Sequence, residues 1–258
     1  MPVTAFMSSH NGRFHGRMAR GFSLIEVAIA VFVITLLLGG ILVPLATQVE
    51  LRKISETHKA LDEIRDALLG FALANGYLPC PDKTTSAGAG TENDGQEDVI
   101  AASGTCVATG NEGNLPWVTL GAGISDVWGN RFRFRVYGTF AQRAPSTPFN
   151  ISTLGNPNPL QVCSTGACTI SLTNSSDGPP AVILSHGKNG FGAMNATTNA
   201  TNPAAVSTDE LENTDGDRIF VSHQQSAAGS GAGEFDDVVT WLSRSVLLNR
   251  MVAAGKLP

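Results

Sequence analysis

The chain has 258 residues, a formal net charge of −5 and only 15% charged residues. The low charge excludes a charge-driven disordered chain, a hydrophobic content of 42% supports a folded body, and the length allows one or two domains with a sizeable core. A mildly acidic balance excludes a general nucleic-acid binder and leaves only a local basic patch to consider.

The N-terminal block sets the compartment. Residues 1–21 hold Arg13, Arg17 and Arg20 and no acid. Phe22 to Ala46 reads FSLIEVAIAVFVITLLLGGILVPLA, with Glu26 its only charge. The uncharged part, Val27 to Ala46, spans roughly 30 Å as a helix, the thickness of one hydrocarbon core. The basic flank predicts an N-terminus in the cytoplasm and the remainder outside it. A secretory signal peptide or a plain membrane anchor would begin in the same way. A secretory signal usually ends in a small-residue cleavage site. Here an amphipathic pattern follows without a break, so the apolar segment is expected to be retained.

Glu26 is costly in such a run unless it is paired or neutralised. Its setting is Gly21-Phe22-Ser23-Leu24-Ile25-Glu26-Val27. This resembles the prepilin signature of type IV pilins and type II secretion pseudopilins. The resemblance implies that a membrane peptidase cuts after Gly21 and that Phe22 becomes the N-methylated N-terminus. Glu26 would then pair with the amine of an adjacent subunit. A buried amine and carboxylate satisfy each other best across subunits. Two departures stand out: the 21-residue leader is long, with Met18 a later candidate start, and the helix-bending proline is Pro44 rather than residue 43, which is Val43. A kink at Pro44 is expected, since proline removes a helical hydrogen bond.

Residues 47–75 continue as an amphipathic helix. Ile54, Leu61 and Leu68 interleave with Thr57, Ile64 and Phe71 at alternating spacings of three and four, which is one helical stripe. Charges fill the opposite face, with Glu56/Lys59 and Asp62/Arg65 three apart. Asn75-Gly76 followed by Pro79 is a stop signal. The whole helix would be about 80 Å long. Packing against like helices is the economical way to cover its first half. A free-standing coiled coil for the second half has too few heptads behind it.

The body reads as loop-rich α+β. Residues 82–114, 144–178, 187–216 and 223–233 are polar and lack period. Asp126-Val127-Trp128-Gly129-Asn130 predicts a turn into a strand, where Phe132, Phe134 and Val136 alternate with Arg131, Arg133 and Arg135. Residues 181–184 and 218–221 predict two further strands. Phe235, Val238, Val239, Leu242 and Val246 follow helical spacing, with Gly255 as the stop. Asp126-x-Trp128-Gly129 and Gly76-Tyr77-Leu78-Pro79-Cys80-Pro81 also resemble pilin-like chains, more patchily. The implied fold is a pilin-like α+β class: a long N-terminal helix, transmembrane in its first half, packed on an antiparallel sheet, with long loops and a C-terminal helix. Four regions follow: a removed leader (1–21), a membrane or filament-core helix (22–46), its amphipathic continuation (47–76) and a periplasmic or extracellular globular domain (77–258).

Cys80, Cys106, Cys163 and Cys168 all lie on the side expected to permit oxidation. Four cysteines allow three pairings. Cys163 and Cys168 close a short loop and are the preferred pair, which leaves Cys80–Cys106. The rival is a zinc site, against which stand the missing CxxC pairs and the absence of a nearby histidine in sequence.

Catalytic signals are weak, and no enzyme is expected. A hydrolase triad of Ser185 and His186 with Asp126 or Asp236 can be drawn, but adjacent residues rarely supply both nucleophile and base. No motif demands a cofactor. Calcium is the metal to consider, because Glu212, Asp215, Asp217, Asp236 and Asp237 flank the last strand and helix, and the major pseudopilins that this chain resembles often bind calcium in a C-terminal loop. Asn213-Thr214-Asp215-Gly216-Asp217 lacks the full EF-hand pattern, and Asp236 and Asp237 also suit a helix N-terminus. The arginine face could touch DNA, as in some uptake pilins, although a solvated or neighbour-facing strand face is the simpler expectation.

The resemblance implies a structural filament subunit with other pilin or pseudopilin subunits, the prepilin peptidase/methyltransferase and an inner-membrane assembly platform as partners. About 237 residues would remain after cleavage, large for a main pilus subunit, so a minor pilin is favoured. The expected location is the inner membrane and then the filament. The alternatives are a type II secretion pseudopilin, an anchored binding module for calcium, DNA or a surface, and an anchored hydrolase.

Overall fold

The structure is a computed structural model. It describes residues 21–108, 111–151, 158–231 and 233–257, with the side chains of 38–45 outside the description. The leader, and with it the choice between Met1 and Met18, falls outside the described residues. The chain divides into two units, Met1–Glu50 and Leu51–Pro258.

In the first unit, helix α1 (Leu24–Asn75) begins. Ser23 and Glu26 form a reciprocal cap at its start. The Ser23 amide donates to Glu26 Oε2 at 2.8 Å, and Ser23 Oγ accepts from the Ile25 amide at 3.4 Å. This Ser-x-x-Glu pattern satisfies amides that a helix N-terminus leaves without intrahelical partners. Residues 22–37 are exposed throughout. Among the described residues no helix is long and apolar enough to cross a membrane. The helical assignment runs through Pro44 without interruption, but the kink expected there concerns a side chain outside the described residues.

In the second unit, α1 continues from Leu51 to Asn75 and presents Thr57, Leu61, Ile64, Leu68 and Ala72 to the core. Ile54 and Phe71, at the margins of the predicted stripe, are half-buried. On the outer face Arg52 pairs with Glu56, Lys59 with Glu63 and Asp62 with Arg65. Thus Lys59 takes the partner four residues on, not the expected Glu56. Gly76, at φ 87°, ends the helix and donates its amide to the Ala72 carbonyl at 2.8 Å.

The central sheet has four antiparallel strands in the order β3 (Glu112–Asn114), β4 (Arg133–Val136), β6 (Ala181–Ser185) and β8 (Val238–Leu242). Pairing sets Phe134 opposite Ile183 and Val136 opposite Ala181. These residues, with Val238 and Leu242, share one buried cluster with the α1 stripe and with Leu247 and Met251 of helix α5 (Arg244–Ala253). On the sheet's other face Val182 and Leu184, with Val239 and Trp241, pack on Leu160, Val162 and Phe220. The last three come from a small parallel pair, β5 (Gln161–Cys163) with β7 (Ile219–Val221), and its flank. A short hairpin of β1 (Val99–Ile100) and β2 (Thr105–Cys106) lies apart from these sheets. Helices α2 (Trp117–Leu120), α3 (Gly138–Ala141) and α4 (Thr208–Glu212) are single turns.

Two expectations are corrected here. The segment from Val238 to Leu242 is a strand, and the C-terminal helix starts only at Arg244. A spacing of four places Val238 and Leu242 on one face of either a helix or a strand, and the run Val-Val-Thr-Trp between them favours the pleated form. The segment from 218 to 221 pairs in parallel with β5, outside the antiparallel sheet.

Candidate functional site

The N-terminal segment is the first candidate. Gly21 and Phe22 lie just before α1, and Phe22 is 86% exposed. Glu26, one turn in, is exposed and holds the Ser23 amide. Thus the carboxylate assigned an assembly role also caps its own helix within a single chain, and the Ser-x-x-Glu spacing was the available sequence signal. Large apolar side chains around it, Leu24, Ile25, Phe32, Leu36 and Leu37, are each more than half exposed.

The cysteines form two disulfides, Cys80–Cys106 and Cys163–Cys168. The first ties the segment after α1 to β2. Glu97 sits beside it, accepting from the Cys80 amide and from both terminal nitrogens of Arg143. Arg143 also lies 4.2 Å over the Tyr77 ring. The second closes a tight loop after β5.

Asp126 organises the turn before β4. Its Oδ1 accepts from the Trp128 and Asn130 amides, each at 2.9 Å, and Gly129 takes φ 86°. Its Oδ2 accepts from Ser185 Oγ at 2.6 Å. Burial raises the Asp126 pKa, while the Ser185 hydroxyl works against that rise. Ser185 and His186 do not meet as nucleophile and base. Adjacent residues at a strand end project to opposite faces, so His186 instead faces Asp237, with Nδ1 3.5 Å from Oδ1. Asp236, the other acid considered for a triad, accepts from the Asn189 amide at 2.8 Å. His58 is exposed on α1; His223 stacks on Phe235 and contacts Asp209 at 3.2 Å.

The arginine face is also corrected. Arg133 and Arg135 share Glu112 across the β3–β4 pair and reach the Thr214 and Gly216 carbonyls. Arg131 stacks 4.1 Å over Trp117 and donates to Asn199 at 2.6 Å. Arg131 and Arg135 are buried, because the segment after β6 folds over this face. Glu112 and the Thr214–Gly216 segment thus occupy Arg133 and Arg135, which are not presented as a free solvated face.

The acidic residues separate into two groups. Glu212, at the end of α4, forms one with the exposed Asp215 and Asp217 just after it; Asp236 and Asp237 join Glu210 in the other. The five residues read from the sequence therefore do not make one site, and Glu210 was missed because it lies in a short helix within a polar tract. Ser207 caps that helix, α4, accepting from the Glu210 amide at 3.3 Å. Glu210 Oε1 accepts from Asn189 Nδ2 and the Asp236 amide, at 2.9 and 3.0 Å. Asp237 Oδ2 accepts from Asn213 Nδ2 at 2.7 Å. Burial pushes the Asp236 carboxyl up to about 7, and the neighbouring carboxylates of Asp237, Glu210 and Glu234 add to the rise. Burial raises Glu210 as well.

Comparison with known proteins bears on the N-terminus. A family model described as the prokaryotic N-terminal methylation motif matches residues 16–42. The chain carries the signature of type IV pilins and pseudopilins. The match supports a pilin- or pseudopilin-like role in general, with membrane-associated processing and assembly alongside other pilin subunits. No curated protein and no solved structure matches the chain.

Proposed function

We propose that the chain is a minor pilin, a structural subunit of a type IV pilus-like filament. The observation that carries this reading is the methylation motif at residues 16–42 on a helix start whose apolar side chains are exposed from Phe22 to Leu37. Such a surface needs lipid or other helices around it. The precursor sits in the inner membrane by the apolar run, with its body on the far side from the basic leader. Prepilin peptidase cuts after Gly21 and methylates Phe22, and an assembly platform moves the subunit into the filament. There Glu26 exchanges the amide of its own Ser23 for the charged amine of a neighbouring subunit, a stronger partner when both are removed from water. The body works by contact, not catalysis; Ser185 is already committed to Asp126. A type II secretion pseudopilus would use the same N-terminal residues, and the identity of co-purifying subunits separates the two.

The test is Glu26→Ala in the native host, read as the amount of this chain in sheared, sedimented filaments. The expected result is at least a tenfold loss, on the scale of about 1.4 kcal/mol or more of lost pairing, with total cellular protein unchanged. Undiminished incorporation would refute the assembly role of Glu26.

A further inference from the structure

A cavity of about 420 Å³ lies beside the β3–β4 pair, within the second unit. The segment after β6 and the loop after α4 complete its wall. Its size falls within the range of small-molecule sites, roughly 300–1,000 Å³.

Two of its lining side chains are buried and under-used. Arg131 is 4% exposed, and its Nη2 donates to Asn199. Its Nε and Nη1 have no partner, and Asp82 offsets its charge without a hydrogen bond between them. A buried guanidinium in this condition is costly until an acceptor meets it. His186 is 1% exposed, and neither ring nitrogen makes a hydrogen bond. Its Nδ1 faces Asp237 Oδ1 at 3.5 Å. A neutral imidazole with its proton on that side presents Nε2 as an acceptor. Nε2 therefore suits a hydroxyl group, whereas the free edge of Arg131 suits a carboxylate.

The rest of the wall limits the charge. Arg133 is already paired with Glu112, and Asp215 adds a second acid. A ligand with one negative charge gains Arg131, while a dianion also meets repulsion from Glu112 and Asp215. Thr84 and Thr201 add polar groups, and Met194 adds a small apolar surface.

We propose that this cavity binds a hydroxylated monocarboxylate of sugar-acid size, with its carboxylate on Arg131 and a hydroxyl on His186. The site lies wholly in the second unit, so its failure would leave the reading of the N-terminal segment untouched, and the reverse.

The test uses the full chain in detergent, with glucuronate binding measured by titration calorimetry and stability by thermal unfolding. Glucose lacks the carboxylate, acetate lacks the hydroxyls, and inorganic phosphate supplies a dianion. One saturable glucuronate per chain is expected, at least tenfold tighter than each of the other three, with a rise in Tm. Arg131→Gln and His186→Phe should each weaken glucuronate binding at least tenfold. Arg218→Gln, at an exposed arginine outside the cavity, should leave it unchanged. Thr201→Trp fills the cavity from an exposed position of its wall; it should abolish binding while keeping the parent's Tm, which decides the matter even where a buried variant fails to fold. Absence of saturable glucuronate binding would overturn the site, as would undiminished binding in Thr201→Trp or in a folded Arg131→Gln. Equal binding of glucose would overturn the role given to Arg131, and equal binding of acetate the role given to His186. Phosphate binding as tightly as glucuronate would overturn the assignment to a monoanion.

Discussion

At the scale of single residues, buried carboxylates dominate the behaviour of the body. Asp82 is fully buried; its Oδ2 accepts from the Gly95 amide at 3.1 Å and its Oδ1 has no partner. Burial, reinforced by Asp98 and Asp94 and only partly opposed by the Gly95 amide and Arg131, raises its pKa from 3.8 to about 7. The folded state therefore holds a proton that the unfolded state releases near pH 4. Stability from this group is present below the unfolded value and is lost as pH rises towards about 7, after which it is flat. Asp82→Asn copies the neutral form and retains an acceptor for Gly95. Denaturant unfolding across pH should find the variant more stable at pH 7.5, on the order of 2 kcal/mol, and level with the parent near pH 4. Equal or lower stability at pH 7.5 would contradict this.

Residues of this kind differ in how far sequence exposes them. Asp126-x-Trp128-Gly129 announces its turn, because an acid that accepts from amides two and four residues on leaves a local pattern. Glu26 stands out against an apolar run. Glu210 does neither; only its burial and its distant partners Asn189 and Asp236 give it meaning, and those are tertiary facts.

Among the elements, α1 was the most legible. Its spacing of three and four identified Leu61, Ile64 and Leu68 as core, and Asn75-Gly76 as the end. Leu68 is wholly buried against the sheet cluster. Leu68→Ala should cost about 2–5 kcal/mol of unfolding free energy in denaturant titration; a cost below about 0.5 kcal/mol, typical of surface positions, would contradict its place in the core. β4 and β6 were legible through alternation and a short apolar run. β3 and β5 were not: Glu112-Gly113-Asn114 has no apolar side chain to alternate. Gly113 is needed there because a Cβ would approach the Asp82 carbonyl oxygen to 2.3 Å. β8 was misread as helix because its two inward residues are four apart. The arginines of β4 alternated as expected, but the chain after β6 covers them and Glu112 pairs them, which no periodicity of β4 reveals.

For the whole molecule, the division falls at Glu50/Leu51. The second unit holds the sheets, the disulfides and the acidic groups. The first carries the methylation motif and, among its described residues, an apolar helix surface exposed from 22 to 37. That asymmetry is why composition alone, averaged over 258 residues, points to nothing in particular, while the first 46 residues point to a membrane-processed subunit. The proposed role stands on the processing step that this motif specifies, so the mature N-terminus tests it most directly. Mass spectrometry of the chain recovered from its host should find an N-terminal peptide beginning at Phe22, heavier by one methyl group. A leader still attached, or an N-terminus created after Ala46, would contradict the account.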